Sequence, residues 1–92
     1  MIPTVGRMVQ VHGLERAENN GADVAAAVIT RVWSEQPGKW CVNVKALLDA
    51  PSDRWLTSIY LYPDVDAAAK DPSSPHRLDG SSLPFCVWPP RV

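Results

Sequence analysis

The sequence predicts an all-β fold: a small five-stranded antiparallel SH3-like barrel or curled sheet, with a long loop able to hold a short helical turn before the last strand. Three observations carry this. The longest mostly apolar stretch, V-A-A-A-V-I-T-R-V-W at Val24 to Trp33, ends in β-branched and aromatic residues. These lose rotamer freedom in a helix and suit a pleated sheet. The segments flanking it are short, alternating and cut by turn signals at Asn20-Gly21, Pro37-Gly38 and Asp49 to Asp53, so a lone helix between them would leave strand edges unpaired. The 92 residues make one domain, spanning 1–92, of a size that buries a core with little margin.

The first strand is expected over Thr4 to Val11, with Gly6 allowing a bend and Val9 and Val11 in period-two alternation. Gly13 to Ala22 is a polar loop ending in Asn19-Asn20-Gly21, a strong turn signal. The central strand follows. Ala25 to Ala27 favour helix and Asp23 could cap one, but the alanines also fit a strand if another backbone or a ring packs closely over them. Trp40 to Leu47 is the third strand, with Trp40, Val42, Val44 and Ala46 on one face. Trp55 to Tyr62 is the fourth, with Trp55, Thr57, Ile59 and Leu61 sharing a side. Pro63 to Pro84 is rich in Asp, Ser and Pro. Within it, Val65 to Lys70 can form a helical turn capped by Asp64 and stopped by Pro72. Leu83 to Trp88 is the last strand, ended by Pro89-Pro90. The expected core is Val9, Val11, Val28, Val32, Val42, Val44, Ile59, Leu61 and Val87.

Nine basic and ten acidic residues are interleaved, for a net charge of -1. That argues against bulk nucleic-acid coating, which shows a basic stripe, and leaves room for a local pocket holding one small anionic ligand. A near-neutral chain also favours self-association, so a homo-oligomer is expected. No apolar run approaches a membrane span and no signal-peptide core opens the chain. The reading is cytoplasmic, with Cys41 and Cys86 as reduced strand residues.

Catalytic and metal chemistry find weak footing. His76, Asp79, Ser81 and Ser82 share the long loop, but a triad needs a base oriented by a buried third group. There is no P-loop, HExxH or dinucleotide fingerprint. His12, Cys41, His76 and Cys86 lack the close spacing of a zinc knuckle. No enzyme activity, cofactor or metal is expected. Four Trp and two Tyr are many for this length, and Arg31 beside Trp33, Arg54 beside Trp55 and Arg91 near Trp88 pair aromatics with a phosphate-matching fork. Such residues serve equally as core or interface. Trp88 to Val92 could likewise cap the barrel or dock on a neighbour.

The start P-T-V-G-R-M-V at Pro3 to Val9, the central A-A-V-I-T-R-V-W at Ala26 to Trp33 and the ending W-P-P-R-V at Trp88 to Val92 resemble a family of small uncharacterised phage and prophage proteins. Val42 to Val44 and Thr57-Ser58 fit the same pattern. The resemblance implies a phage origin, expression in the cytoplasm of an infected bacterium, and no catalytic residue. Two functions follow as expectations. One is an oligomer that sequesters a small nucleotide-type signal to counter bacterial immunity, with Arg7, Arg31, Trp33, Tyr60 and Arg91 as ligand contacts. The other is a virion accessory protein of the decoration or connector kind, or an inhibitor that binds a host protein.

Overall fold

The computed structural model describes residues 2–71 and 84–89. The sequence expectations that rest on His76, Asp79, Ser81, Ser82, Leu83, Pro90 and Arg91 lie outside the described residues. Five strands form a closed barrel in chain order: β1 (Met8–His12), β2 (Val24–Gln36), β3 (Lys39–Leu47), β4 (Arg54–Tyr62) and β5 (Phe85–Val87). A 3-10 turn, Arg16–Asn19, joins β1 to β2, and the six-residue helix α1 (Val65–Lys70) follows β4. The all-β expectation holds, and the central segment is a strand that runs on to Gln36.

One pair departs from an all-antiparallel ring. β1 to β4 alternate in direction, and β5 pairs antiparallel with β1 but parallel with β4. An odd number of strands closed in chain order must contain such a pair. A parallel pair cannot be joined by a tight turn, because its chain has to travel back along the sheet. That requirement accounts for the long 63–84 connection, which a meander of hairpins would not need.

Each of β2 and β4 carries extra residues relative to its partner. The β2–β3 register shifts between Ile29 and Arg31 and again between Val32 and Ser34; the β3–β4 register shifts between Val42 and Val44. Bulges of this kind bend a strand and raise its twist, which is what curls a short sheet into a barrel. They also reverse which side chains face inward, and this corrects the expected core. On β2 the inward residues are Ala25, Ala27 and Ile29, while Val28 is half-buried on the outer face and Val32 only packs against the core edge. On β4, Leu56 points in and Trp55 points out; after the bulge, Leu61 is buried and Ile59 packs against the core from a half-buried position. Trp55, Thr57, Ile59 and Leu61 therefore do not share a side.

The remaining core is as the alternation predicts: Val9, Val11, Val42, Val44 and Leu61 are buried, joined by Ala46 and Cys86. The alanines follow from geometry. A five-stranded barrel has a narrow interior, so small residues must face large ones. Burial pushes the Cys86 thiol up to about 12, as for a group used as a small hydrophobe. Both cysteines are free.

A second, smaller layer lies outside the barrel. The Asp64 carboxylate accepts from the Ala67 N–H at 2.8 Å, the expected N-cap of α1. The helix lays Ala68 on Tyr62 and Val87. Among the described residues no helix is long and apolar enough to cross a membrane.

Candidate functional site

The outer face of β2, β3 and β4 is organised around Asn43, a buried polar residue at the centre of β3. In the register of β3 and β4, Asn43 stands opposite two residues, Thr57 and Ser58. Ser58 sits at φ 54, in the left-handed region, which an L-residue enters at a cost of about 1–2 kcal/mol. The Asn43 side chain offsets that cost. Its Oδ1 accepts from the Ser58 backbone N–H at 2.7 Å and from the Thr57 hydroxyl at 3.1 Å. The same oxygen accepts from the Trp33 indole N–H at 2.8 Å.

Trp33 is thus held in place although it remains 48% exposed. Over its ring, 3.8 Å from the centroid, lies the Arg31 guanidinium. Arg31 pairs with Asn43, while Trp33 falls in the register shift between Val32 and Ser34 and reaches back to the same Asn43. Among the described residues Arg31 has no carboxylate within ion-pair distance. The arrangement is a fixed indole with a guanidinium fork laid over one of its faces.

The other expected contacts lie elsewhere. Tyr60 is on β4 under the second layer, with the Lys39 ammonium 4.1 Å from its ring centroid. Lys39 forms an ion pair with Asp71 at 2.6 Å, and the Tyr62 hydroxyl donates to the same carboxylate at 2.8 Å. The Lys39 and Asp71 side chains are only 7% and 13% exposed. Burial first, then the Asp71 contact, drives the Tyr62 phenol well above its ordinary range. Arg7 lies 5.5 Å over the Trp88 ring, and Trp88 packs against the barrel core. Arg91 lies outside the described residues. Of the four described residues, Arg7, Arg31, Trp33 and Tyr60, only Arg31 and Trp33 are brought together.

Two concavities flank the β2–β3 hairpin. One of about 260 Å³ is lined by Glu35, Lys39, Trp40 and Trp88 among others. The other, about 210 Å³, lies between the hairpin and α1 beside Tyr62, Lys70 and Asp71. Among the described residues no three His, Cys, Asp or Glu side chains gather as metal ligands. His12 instead stacks on Phe85 with centroids 5.4 Å apart, while its register neighbour Val11 pairs with Cys86 of the core.

Sequence reading missed Asn43, Thr57 and Ser58 as organisers of the site. A polar residue inside the apolar run Trp40 to Leu47 was the available signal for Asn43; the bulge that uses it has no local sequence mark. Comparison with models of protein families, with curated proteins and with solved structures finds no match in any of the three.

Proposed function

We propose that this protein is a non-enzymatic binding module that takes up a small nucleotide-type ligand on the Arg31–Trp33 platform. The observation that carries this reading is the Arg31 guanidinium stacked 3.8 Å over an exposed Trp33 whose indole is pinned to Asn43. The indole face opposite Arg31 would take any nucleobase by stacking. A guanidinium with no acid partner among the described residues can donate two parallel N–H groups to a phosphate. Pinning the ring in advance reduces the ordering cost of binding.

The biological role we propose is sequestration. An oligomer in the cytoplasm of an infected bacterium would hold a nucleotide signal away from its host receptor. The phage-like segments at Pro3 to Val9 and Trp88 to Val92 support that setting. An oligomer would also supply enclosure, since a single outer sheet face covers little of a small ligand. The test is calorimetric titration of purified protein with 5′-mononucleotides and cyclic dinucleotides, beside native mass spectrometry of the same samples. Saturable binding that falls at least tenfold in both Arg31→Ala and Trp33→Ala, on a defined oligomer, is the expected result. Heat-silent titrations with every nucleotide, and an apo mass throughout, would overturn the reading.

A further inference from the structure

The three strands that carry the Arg31–Trp33 platform carry a second pair of the same kind. Lys45 and Trp55 are register partners across β3 and β4. Direct partners in an antiparallel pair hold their Cβ atoms about 5 Å apart. Both are exposed, Trp55 at 60%. Lys45 is two residues from Asn43 on β3, so the two pairs sit on the same face, one repeat of about 7 Å apart along the strand.

The charge of this face is one-sided. Across β2, β3 and β4 the sole acid is Glu35. It pairs with Trp40 near the hairpin and lines the end cleft, away from the platform. The basic residues of the same strands divide in two. Lys39 is committed to Asp71 and Arg54 to Glu18, at 2.6 and 2.9 Å. Arg31 and Lys45 have no carboxylate partner among the described residues. A second copy docked face to face would set these cations against each other with no acid to receive them. The occupant that matches is anionic, repeats its charge, and carries flat rings.

We infer that the ligand of this face is a short single-stranded oligonucleotide, with one base on Trp33 and another on Trp55, its phosphates held by Arg31 and Lys45. This rests on the nucleotide reading of the Arg31–Trp33 platform and extends it from one base to at least two. Ser58, opposite Asn43 on β4 and three residues from Trp55, is exposed, and its hydroxyl would serve the bridging sugar-phosphate. Stacking supplies affinity without base preference, and phosphate contacts make it salt-dependent.

The experiment compares thymidine 5′-monophosphate with the tetranucleotides dT4 and U4 by quenching of tryptophan fluorescence, at low and raised salt. Variants are Trp55→Ala, Lys45→Glu and Trp33→Ala, each checked by thermal melting. The wild type is expected to bind a tetranucleotide at least tenfold more tightly than the monophosphate. Trp55→Ala should weaken the tetranucleotide about tenfold and leave the monophosphate unchanged; Lys45→Glu, which sets an acid one row from Arg31, should weaken the tetranucleotide at least tenfold and the monophosphate less; Trp33→Ala should weaken both. U4 and dT4 differ in the 2′-hydroxyl and in the base methyl, so a preference between them would narrow the ligand, and either supports the inference. Monophosphate binding that needs Trp33, with no gain from chain length and no effect at Trp55 or Lys45, overturns this extension alone. No binding of any of the three ligands overturns the nucleotide reading with it. A self-association that Trp55→Ala abolishes, with no nucleotide affinity, would assign the face to a second copy instead.

Discussion

Two clusters on the same barrel are built from the same parts, a cation over an aromatic ring, and are put to opposite uses. In one, Lys39 lies over Tyr60, is neutralised by Asp71 and is covered beside α1. In the other, Arg31 lies over Trp33 with no acid among the described residues and stays open to solvent. The first is closed: its charge is compensated within the fold, and its removal would be felt as stability. The second is open: the fold has fixed its geometry but left its charge for something else. Cation–ring proximity alone therefore does not single out a candidate site; a pinned ring under a cation with no acid among the described residues is what singles out Arg31 and Trp33.

The largest expected effect falls on the closed cluster. Asp71→Ala would remove the carboxylate that sits 2.6 Å from the buried Lys39 ammonium, and breaking one side of a buried pair costs about 3–5 kcal/mol. Urea unfolding should show that loss, while nucleotide affinity of the folded fraction stays as in the wild type. Lys39→Met combined with Asp71→Leu should recover most of the loss, since the pair is then replaced rather than broken. A stability change under 1 kcal/mol in Asp71→Ala would break the comparison, because the pair would then be a surface contact.

Asn43→Ala comes next and bears on the open cluster. Three donors lose their common acceptor: the Trp33 indole, the Thr57 hydroxyl and the Ser58 N–H. A loss of about 1–3 kcal/mol is expected. Ligand affinity should fall as well, through Trp33 losing its fixed position. Adding Ser58→Gly should return part of the stability, since glycine adopts the left-handed φ freely, without restoring affinity. That split separates support of the bulge from support of the ring.

These two clusters were legible in the sequence to different degrees. Aromatic residues beside arginine drew attention to Arg31 and Trp33, and those two do meet. Tyr60 and Arg7 were grouped with them by residue type, yet β4 and the start of β1 carry them to other places, against Lys39 and Trp88. The alternation of β1 and β3 gave the core directly. On β2 and β4 it failed because an extra residue switches which side chains face inward, so Val28 before the first β2 shift faces out while Val32 beyond it packs on the core. Asp71 could not be paired with Lys39 from sequence, being 32 residues away and joined only through α1 folding back. The long connection was visible as a Pro- and Ser-rich tract; its cause, a parallel closure, was not.

A pH dependence sharpens the contrast without touching the open cluster. His12 stacks on Phe85, which also meets Tyr62 edge-on at 6.0 Å, so it borders the second layer. Burial lowers its pKa from 6.5, partly opposed by Asp23. The unfolded chain therefore takes up the proton first as pH falls. Stability contributed by neutral His12 is complete above 6.5 and is lost progressively below it, levelling once the folded imidazole also protonates. Thermal melting between pH 8 and pH 5 should show this slope, and His12→Gln should flatten it.

The smallest stability effect belongs to the residue expected to matter most for binding. Arg31 is exposed, and its stack on Trp33 contributes about 0.5–1 kcal/mol. Removing it also relieves the like charge of Lys45 one row away. The two terms oppose, so Arg31→Ala should unfold within about 0.5 kcal/mol of the wild type, while nucleotide affinity drops by tenfold or more. Asp71→Ala is expected to do the reverse, losing stability and keeping affinity. Measured side by side, the pair of variants forms a double dissociation. If Arg31→Ala instead lost stability on the scale of Asp71→Ala and bound as before, the open cluster would be a second structural stack, and the platform would have no ligand to explain.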